Sequence, residues 1–472
     1  ILYYLCNNQI FIKIYKIKKI IYIIALLGIF CLSNIINAQT IACGREFTLA
    51  VCINNTVQSW GYNTNGQLGN GTNTNSNVSV SVSNISGIVA VACGDRHSLA
   101  LKYDGTVWAW GDNSNGALGN GNNTSSNVPV SVNPLTGITA IAGGRYHSLA
   151  LKNDGTVWAW GFNGEGALGN GTNISSNIPV PVNSLTGIIA IAAGTNFSLA
   201  LKNDGTVWAW GNNSDGALGN GTNTDSNVPV QVNLLTNIIS ISGGFFHSLA
   251  LKNDGTVWAW GKNDNGQLGN GTYANSNIPV TVSSITGITA IAGGAWHSFV
   301  LKNDGTVLAW GRNNNGQLGN GNNTNSTVPV SVNTLTGITT IAAGEGHSFA
   351  RKNDSTAWTW GGNLYGELGN GNNTNSNIPV HISGMCPILA INEIAEQISA
   401  LVFPNPNNGH FTIILSEEKG FVEIYNLLGE KVYQSISTNQ KFDIDLSDKT
   451  KGIYFAKIYI GQKMTTEKIM IQ

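Results

Sequence analysis

A chain of 472 residues is longer than one ordinary globular core, so several domains or a repeat array are expected. Only 10% of residues are charged and the formal net charge is −1, which excludes a nucleic-acid binder working through a basic patch. Polarity comes from Asn, Ser and Thr, and the 58 glycines, lacking a three-residue period, point to many tight turns and not to collagen.

The first segment reads as a targeting signal. Lys13, Lys16, Lys18 and Lys19 form a basic stretch, residues 20–32 are apolar, and Ile36-Asn37-Ala38 ends in a small residue suited to signal peptidase. The apolar run is short for a bilayer span, which needs about 20 residues. Residues 1–38 are therefore expected to be a cleaved signal peptide, with those ahead of Lys13 lying upstream of the true start. Bulky Phe30 before Cys31 does not fit a lipobox. The mature chain keeps Cys43, Cys52, Cys93 and Cys386, whose spacing matches no zinc pattern. Cys43 and Cys93 share a repeat column held elsewhere by Gly or Ala, so they read as small buried residues.

Over residues 41–390 the sequence repeats every 50 residues, seven times, without insertion or deletion. Such a period marks a solenoid or a propeller, because one unit cannot bury its own apolar face. In the third copy, residues 148–152 (SLALK) form a short strand, Asn153-Asp154-Gly155 a hairpin turn and residues 156–160 (TVWAW) the returning strand. Two more strands are expected at 178–182 and 188–192. Pro179 and Pro181 require the first of these to lie at a sheet edge. No copy shows a helical period. On the returning strand Trp158 and Trp160 share one face, and Val157 and Ala159 the other. Sheets with a bulky and a small face can stack around a ring, with each buried Trp contributing on the order of 2–3 kcal/mol. Trp60, Trp110, Trp160, Trp210, Trp260, Trp310 and Trp360 are expected between blades, and ring closure leaves only short edges.

The series G-x-x-H-S-L-A-L-K-N-D-G-T-V-W-A-W-G, then N-G-A-L-G-N-G and a P-V pair, resembles the repeats of the regulator of chromosome condensation family. The resemblance covers all seven copies and implies a seven-bladed propeller with four-stranded blades. Kelch repeats share the period but lack the Trp-Ala-Trp-Gly and Leu-Gly-Asn-Gly signatures. The eponymous member is a nuclear exchange factor that binds chromatin. An export signal and the absence of a basic tail argue against carrying that activity over. The family's extracellular bacterial propellers, which act by binding, are the nearer analogy.

Residues 390–400 read as a linker, after which composition changes. Phe403-Pro404-Asn405-Pro406, Ile424-Tyr425-Asn426, Gly452-Ile453-Tyr454 and a Lys-containing terminal strand resemble, in that order, the C-terminal sorting domain of the type IX secretion system. The expected fold class is thus all-β: a seven-bladed β-propeller (39–389) followed by a small Ig-like β-sandwich (401–472). The resemblance implies periplasmic entry, passage through the outer membrane by the type IX machinery, and release or surface attachment.

The chemistry-bearing columns read mostly as framework. His97, His147, His247, His297 and His347 recur at one position where Phe47 and Phe197 also stand, so a structural hydrogen bond is expected and not a metal. Asp104, Asp154, Asp204, Asp254 and Asp304 are hairpin-turn residues. Calcium-like loops lack the twelfth-position Glu, and no phosphate cradle or catalytic triad stands out, so no cofactor is expected. Variable columns in a constant frame are freer to recognise a partner. One such set precedes the His-Ser-Leu strand and includes Arg45, Arg96, Arg145, Tyr146, Phe245, Phe246 and Trp296; a second follows Trp-Gly and includes Phe162. Arg, Trp, Tyr and Phe are the types that anchor interfaces. The expected function is a secreted or surface binding module for protein or glycan, monomeric and without catalysis. A polysaccharide-active enzyme is the alternative, which a carboxylate pair in one or two blades would favour; Glu165, Asp215 and Asp264 stand singly. At the seam, the segment at 39–43 is expected to hold the shared strand slot while residues after Cys386 peel away. A bridge from Cys386 to Cys43 or Cys52 is possible in an oxidising compartment.

Overall fold

The computed structural model describes residues 40–388 and, beyond them, 401–403, 407–415, 420–426, 430–437, 441–460 and 463–471. The signal segment and the linker lie outside the described residues. The chain divides into two compact units, Ile1–Leu389 and Ala390–Gln472.

The first unit holds seven four-stranded antiparallel sheets whose strands follow chain order. Blade one consists of Ile41–Cys43, Phe47–Val51, Val57–Gly61 and Ser76–Ser81, and blade two opens at Ile88–Cys93. The first strand of each blade touches the first strands of its neighbours all the way round, including Ile338–Ala343 of blade seven against Ile41–Cys43 of blade one. The ring is closed and its first strands are innermost. Ser176–Pro181, which bears the prolines, is the outer edge strand of its blade. Ile188–Ala193 pairs with Phe197–Lys202, so it opens the next blade and does not complete its own repeat. Sequence repeat and blade are out of phase by one strand.

All seven tryptophans of the 60 column are fully buried. Each indole Nε1 donates to a main-chain carbonyl of the preceding blade: Trp110 to Gln67 (2.9 Å), Trp160 to Ala117 (2.8 Å) and, across the closure, Trp60 to Glu367 (2.9 Å). The alternate tryptophans, such as Trp158, are half-buried. Outside this layer the loops also interlock. The Gly71 N–H donates to the Asn127 carbonyl of the next blade, and Gly371 closes the same circle onto Asn77 (2.8 Å).

The histidines form a second inter-blade layer. Nε2 of His147 lies 3.0 Å from Ser198 Oγ, Nε2 of His247 2.8 Å from Ser298 Oγ, and Nε2 of His347 2.9 Å from Thr48 Oγ1. The serine hydroxyl already donates its proton to a carbonyl, as Ser198 does to Ala167 O at 2.9 Å. The histidine Nε2–H is therefore the donor, which fixes the neutral tautomer. Nδ1 of His147, His247 and His297 is buried with no partner. The expectation of structural hydrogen bonding holds.

At the seam the strand slot is shared. Ile41, Ala42 and Cys43 pair with Ala50, Leu49 and Thr48. Ile388 then bridges Cys52, and the Ile53 N–H donates to Pro387 O at 2.9 Å. In the other blades one continuous strand fills both places, as Ile138–Gly143 does against His147–Lys152. The expected departure of the chain after Cys386 is therefore corrected: residues 387–388 stay to fill the end that the short N-terminal strand leaves open. Cys386 bonds to Cys52, with Cα atoms 5.7 Å apart and a separation of 334 positions in sequence. Cys43 and Cys93 remain free thiols.

In the second unit, Leu401–Phe403, His410–Ile414 and Lys441–Asp445 form one sheet, and Lys431–Ser437, Gly420–Asn426, Gly452–Ile460 and Lys463–Ile471 form another. Phe411, Ile413 and Ile444 of the first share a core with Val422, Ile424 and Ile458 of the second, giving a small sandwich. The Tyr454 hydroxyl donates back to Thr450 O at 2.6 Å and pins the start of its strand.

Candidate recognition face

Both variable columns lie on one face of the propeller. The turn between the first and second strands is tight, with the Gly44 N–H donating to Phe47 O at 2.8 Å. The residue after Trp-Gly then bonds back to that turn in each blade: Asp112 N–H to Arg96 O (2.9 Å), Phe162 N–H to Tyr146 O (2.8 Å), Lys262 N–H to Phe246 O (2.9 Å) and Arg312 N–H to Trp296 O (2.8 Å). Several turns also join one another around the ring, Arg145 N–H to Thr195 O (2.9 Å) and Thr195 N–H to Phe245 O (3.0 Å).

A buried asparagine column, absent from the sequence-level candidates, makes the loops of this face rigid. Asn63 accepts the Leu68 N–H (2.8 Å) and donates through Nδ2 to the carbonyls of Thr72 and Thr74 (3.0 Å each), and its counterparts repeat the pattern. One amide thus closes the loop between third and fourth strands in every blade. Its constancy in all seven copies was the signal.

The structure groups the proposed partner-binding residues into two sectors. In blades one to three, Arg45, Arg96 and Arg145 converge on Asp95, lying 3.7–3.8 Å from its Oδ2, and Arg45 also hydrogen-bonds Glu345. Asp95 is buried, and burial pushes its carboxyl up against the opposing pull of Arg45, Arg145 and Arg96. Tyr146 meets Phe162 edge-on at 6.4 Å, and the Arg145 guanidinium lies 4.8 Å from the Tyr146 ring. In blades five and six, Phe246 packs on Trp296 at 5.0 Å and on Phe245 at 6.3 Å, with Lys262 Nζ 5.6 Å from Phe246 and 5.8 Å from Trp296. All eight candidates are half-buried.

Between the two sectors a cleft of about 140 Å³ opens across blades three, four and five, lined by Arg145, Glu165, Thr195, Asn196, Phe245 and Phe246 among others. Thr195 Oγ1, Asn196 Oδ1 and Glu165 Oε2 are buried there without a hydrogen-bond partner. Burial pushes the Glu165 carboxyl up, against the pull of Asn196. Glu165 and Asp215, isolated in sequence, both line this cleft. Among the described residues, no group of three or more His, Cys, Asp or Glu is placed to hold a metal ion.

The RCC1-like domain family matches the chain over residues 27–290 and 133–400, and the secretion system C-terminal sorting domain matches residues 401–472. No curated protein matches. Among solved structures, human WBSCR16 is similar at 25% identity and a TM-score of 0.64, over 70% of this chain and 94% of that one. Prp20p of Saccharomyces cerevisiae, described with its binding to Gsp1p and histones, is similar at 24% identity and a TM-score of 0.65, over 75% of this chain and 90% of that one. Yeast RCC1 (Prp20) in complex with Kap60 gives 23% identity and 0.65, over 84% and 91%.

Proposed function

Because the chain belongs to the RCC1-like domain family and ends in a secretion system C-terminal sorting domain, we propose that it is an exported binding module. Its propeller recognises a protein or glycan outside the cell, and residues 401–472 engage the type IX machinery that delivers it to the surface or the medium. The observation that carries this reading is the convergence of both variable columns on one rigid face, while the Trp, His and Asn columns are spent on holding blades and loops together. Relatives of the fold engage macromolecules, as Prp20p does Gsp1p and histones. The match to a secretion system sorting domain supports a partner outside the cell. The mature propeller acts as a monomer, since its ring closes on itself and only the short outer strand of each blade remains as an edge.

The polysaccharide-active alternative draws on one observation, the approach of Glu165 and Asp215 to a common cleft. Asp215 is engaged in an ion pair with Lys262 at 3.6 Å, and no paired carboxylates of a glycosidase type stand out in sequence, so recognition is favoured over hydrolysis.

The test replaces Phe245, Phe246 and Trp296 together with Ala in the full chain. Capture of surface material from host or neighbouring cells should fall by at least about tenfold, the loss of one strong anchor, while the melting temperature changes little. Undiminished capture would remove the aromatic sector from the binding face. A collapse in melting temperature would make the three residues core.

A further inference from the structure

We infer that the cleft across blades three, four and five takes one neutral sugar ring, a terminal pyranose of a glycan. The inference rests on the binding reading above and names its ligand class.

Three features of the cleft point there. The first is its complement of unpaired polar atoms. Thr195 is 3% exposed and its Oγ1, a donor and an acceptor, has no partner, and the acceptors Asn196 Oδ1 and Glu165 Oε2 are buried beside it in the same condition. Buried polar atoms in folded proteins are nearly always paired, and an unpaired one is a cost that a ligand's polar group relieves. A ligand meeting a hydroxyl and two acceptors from one small frame must carry several groups that both donate and accept, as hydroxyls do.

The second feature is the apolar wall. Phe245 and Phe246 line the cleft, and the ring-on-ring packing of Phe246 against Trp296 at 5.0 Å holds that wall in place. Phe197, which replaces histidine in this blade, lines the cleft as well. Hydroxyl donors on the rim of a ring and C–H groups on its face are the two aspects of a pyranose.

The third feature is size and charge. At about 140 Å³ the cleft is smaller than pockets for drug-sized ligands, roughly 300 Å³ and above, yet several times the ~30 Å³ share of a water. It accommodates one six-membered ring and not a peptide segment. Its cations are matched from within: Arg145 lies 3.8 Å from Asp95, and Lys262 sits 3.6 Å from Asp215. An anionic ligand has no unmatched cation to meet, and a neutral one carrying donors suits the acceptors that remain.

The departures from the repeat agree with the geometry. Phe197 breaks with the histidine of its column, Glu165 and Asp215 break with the asparagine of theirs, and Thr195 and Asn196 belong to the variable columns. All five meet in this one cleft.

The experiment uses the full chain and four free sugars: D-glucose, D-galactose, D-mannose and N-acetyl-D-glucosamine. Saturation-transfer NMR and calorimetry should detect at least one with a Kd on the order of 1 mM, the range of a single small contact set. Thr195→Val, close in shape but without the hydroxyl, should weaken that sugar about tenfold, as should Glu165→Gln and Phe245→Ala. Melting curves of Thr195→Val check that the fold survives. The inference is overturned if none of the four sugars binds, or if binding is unchanged in Thr195→Val and Glu165→Gln. Silent sugars together with loss of macromolecule capture in the Phe245, Phe246 and Trp296 variant would overturn the sugar site and leave the binding face standing. Sugar binding that the cleft variants weaken, with capture indifferent to the aromatic sector, would uphold the site and overturn that broader face.

Discussion

A histidine that donates through one nitrogen and buries the other without a partner has little freedom to take up a proton. Burial lowers His147, His247 and His297 to about 3, and His97 and His347 to about 4, from an ordinary value of 6.5. The folded value lies below the unfolded one, so the stability these residues give is whole above pH 6.5 and is lost as pH falls towards 4 and 3. At pH 5 the cost is on the order of 2 kcal/mol per histidine. Glu367 works in the opposite sense: burial raises it from 4.5 to about 7, so its contribution is whole below 4.5 and is lost as pH rises through 7. A variant with His147, His247 and His297 changed to Phe, the residue of the fourth copy, holds Glu367 constant. Its melting temperature should fall less steeply than the parent's between pH 6.5 and 4.5; an identical slope would show that the histidines do not couple to folding. The structural role of this column was legible because Phe47 and Phe197 stand in for it. The cleft was not, because Glu165 and Thr195 sit 30 positions apart in different columns, and only the ring brings one blade's loop beside the next blade's turn.

At the scale of the blade, the repeat period, the Asp-Gly hairpins and the alternating tryptophans gave away sheet and ring alike. The phase of the blade escaped, since a tandem sequence has no mark for where a unit begins; hydrogen bonding alone assigns Ile188–Ala193 to the following sheet. The Leu-Gly-Asn-Gly signature has a steric cause. Gly369 has φ of +61° and a Cβ there would lie 2.9 Å from Nε1 and Cδ1 of Trp60, whereas Gly371, at φ +85°, has nothing within 4 Å. Both positions disfavour an L-residue by about 1–2 kcal/mol, and only the first adds overpacking of about 1–3 kcal/mol. Gly369→Ala should therefore lower the urea midpoint clearly more than Gly371→Ala. Equal shifts would mean that backbone conformation, and not the tryptophan beneath, fixes the motif.

For the molecule as a whole, the seam decides how the ring holds. Cys386 was recognisable as a neighbour in register of both Cys43 and Cys52, but the choice between them and the shared strand slot were not, because nothing in the repeat says how short the first copy's opening strand is. The Cys52–Cys386 bond spans a sequence separation of 334, for which the chain-entropy account gives roughly 6 kcal/mol. Reduction should lower the melting temperature by on the order of 10 °C for a chain of this size, and Cys386→Ser should melt low with or without reductant. A reductant effect persisting in Cys386→Ser would assign the stabilisation to other thiols. The same bond also sets where a mechanical load would travel. Tension applied between the two ends of the propeller enters at Thr40 and Ile388, on either side of one disulfide joining residues 52 and 386. The load passes through the first hairpin strand and across the sulfurs, and everything from Ile53 to Met385 hangs beside the line of pull as a slack loop. An exported protein tugged from its C-terminal side can thus be strained at its clasp while blades two to seven feel no force.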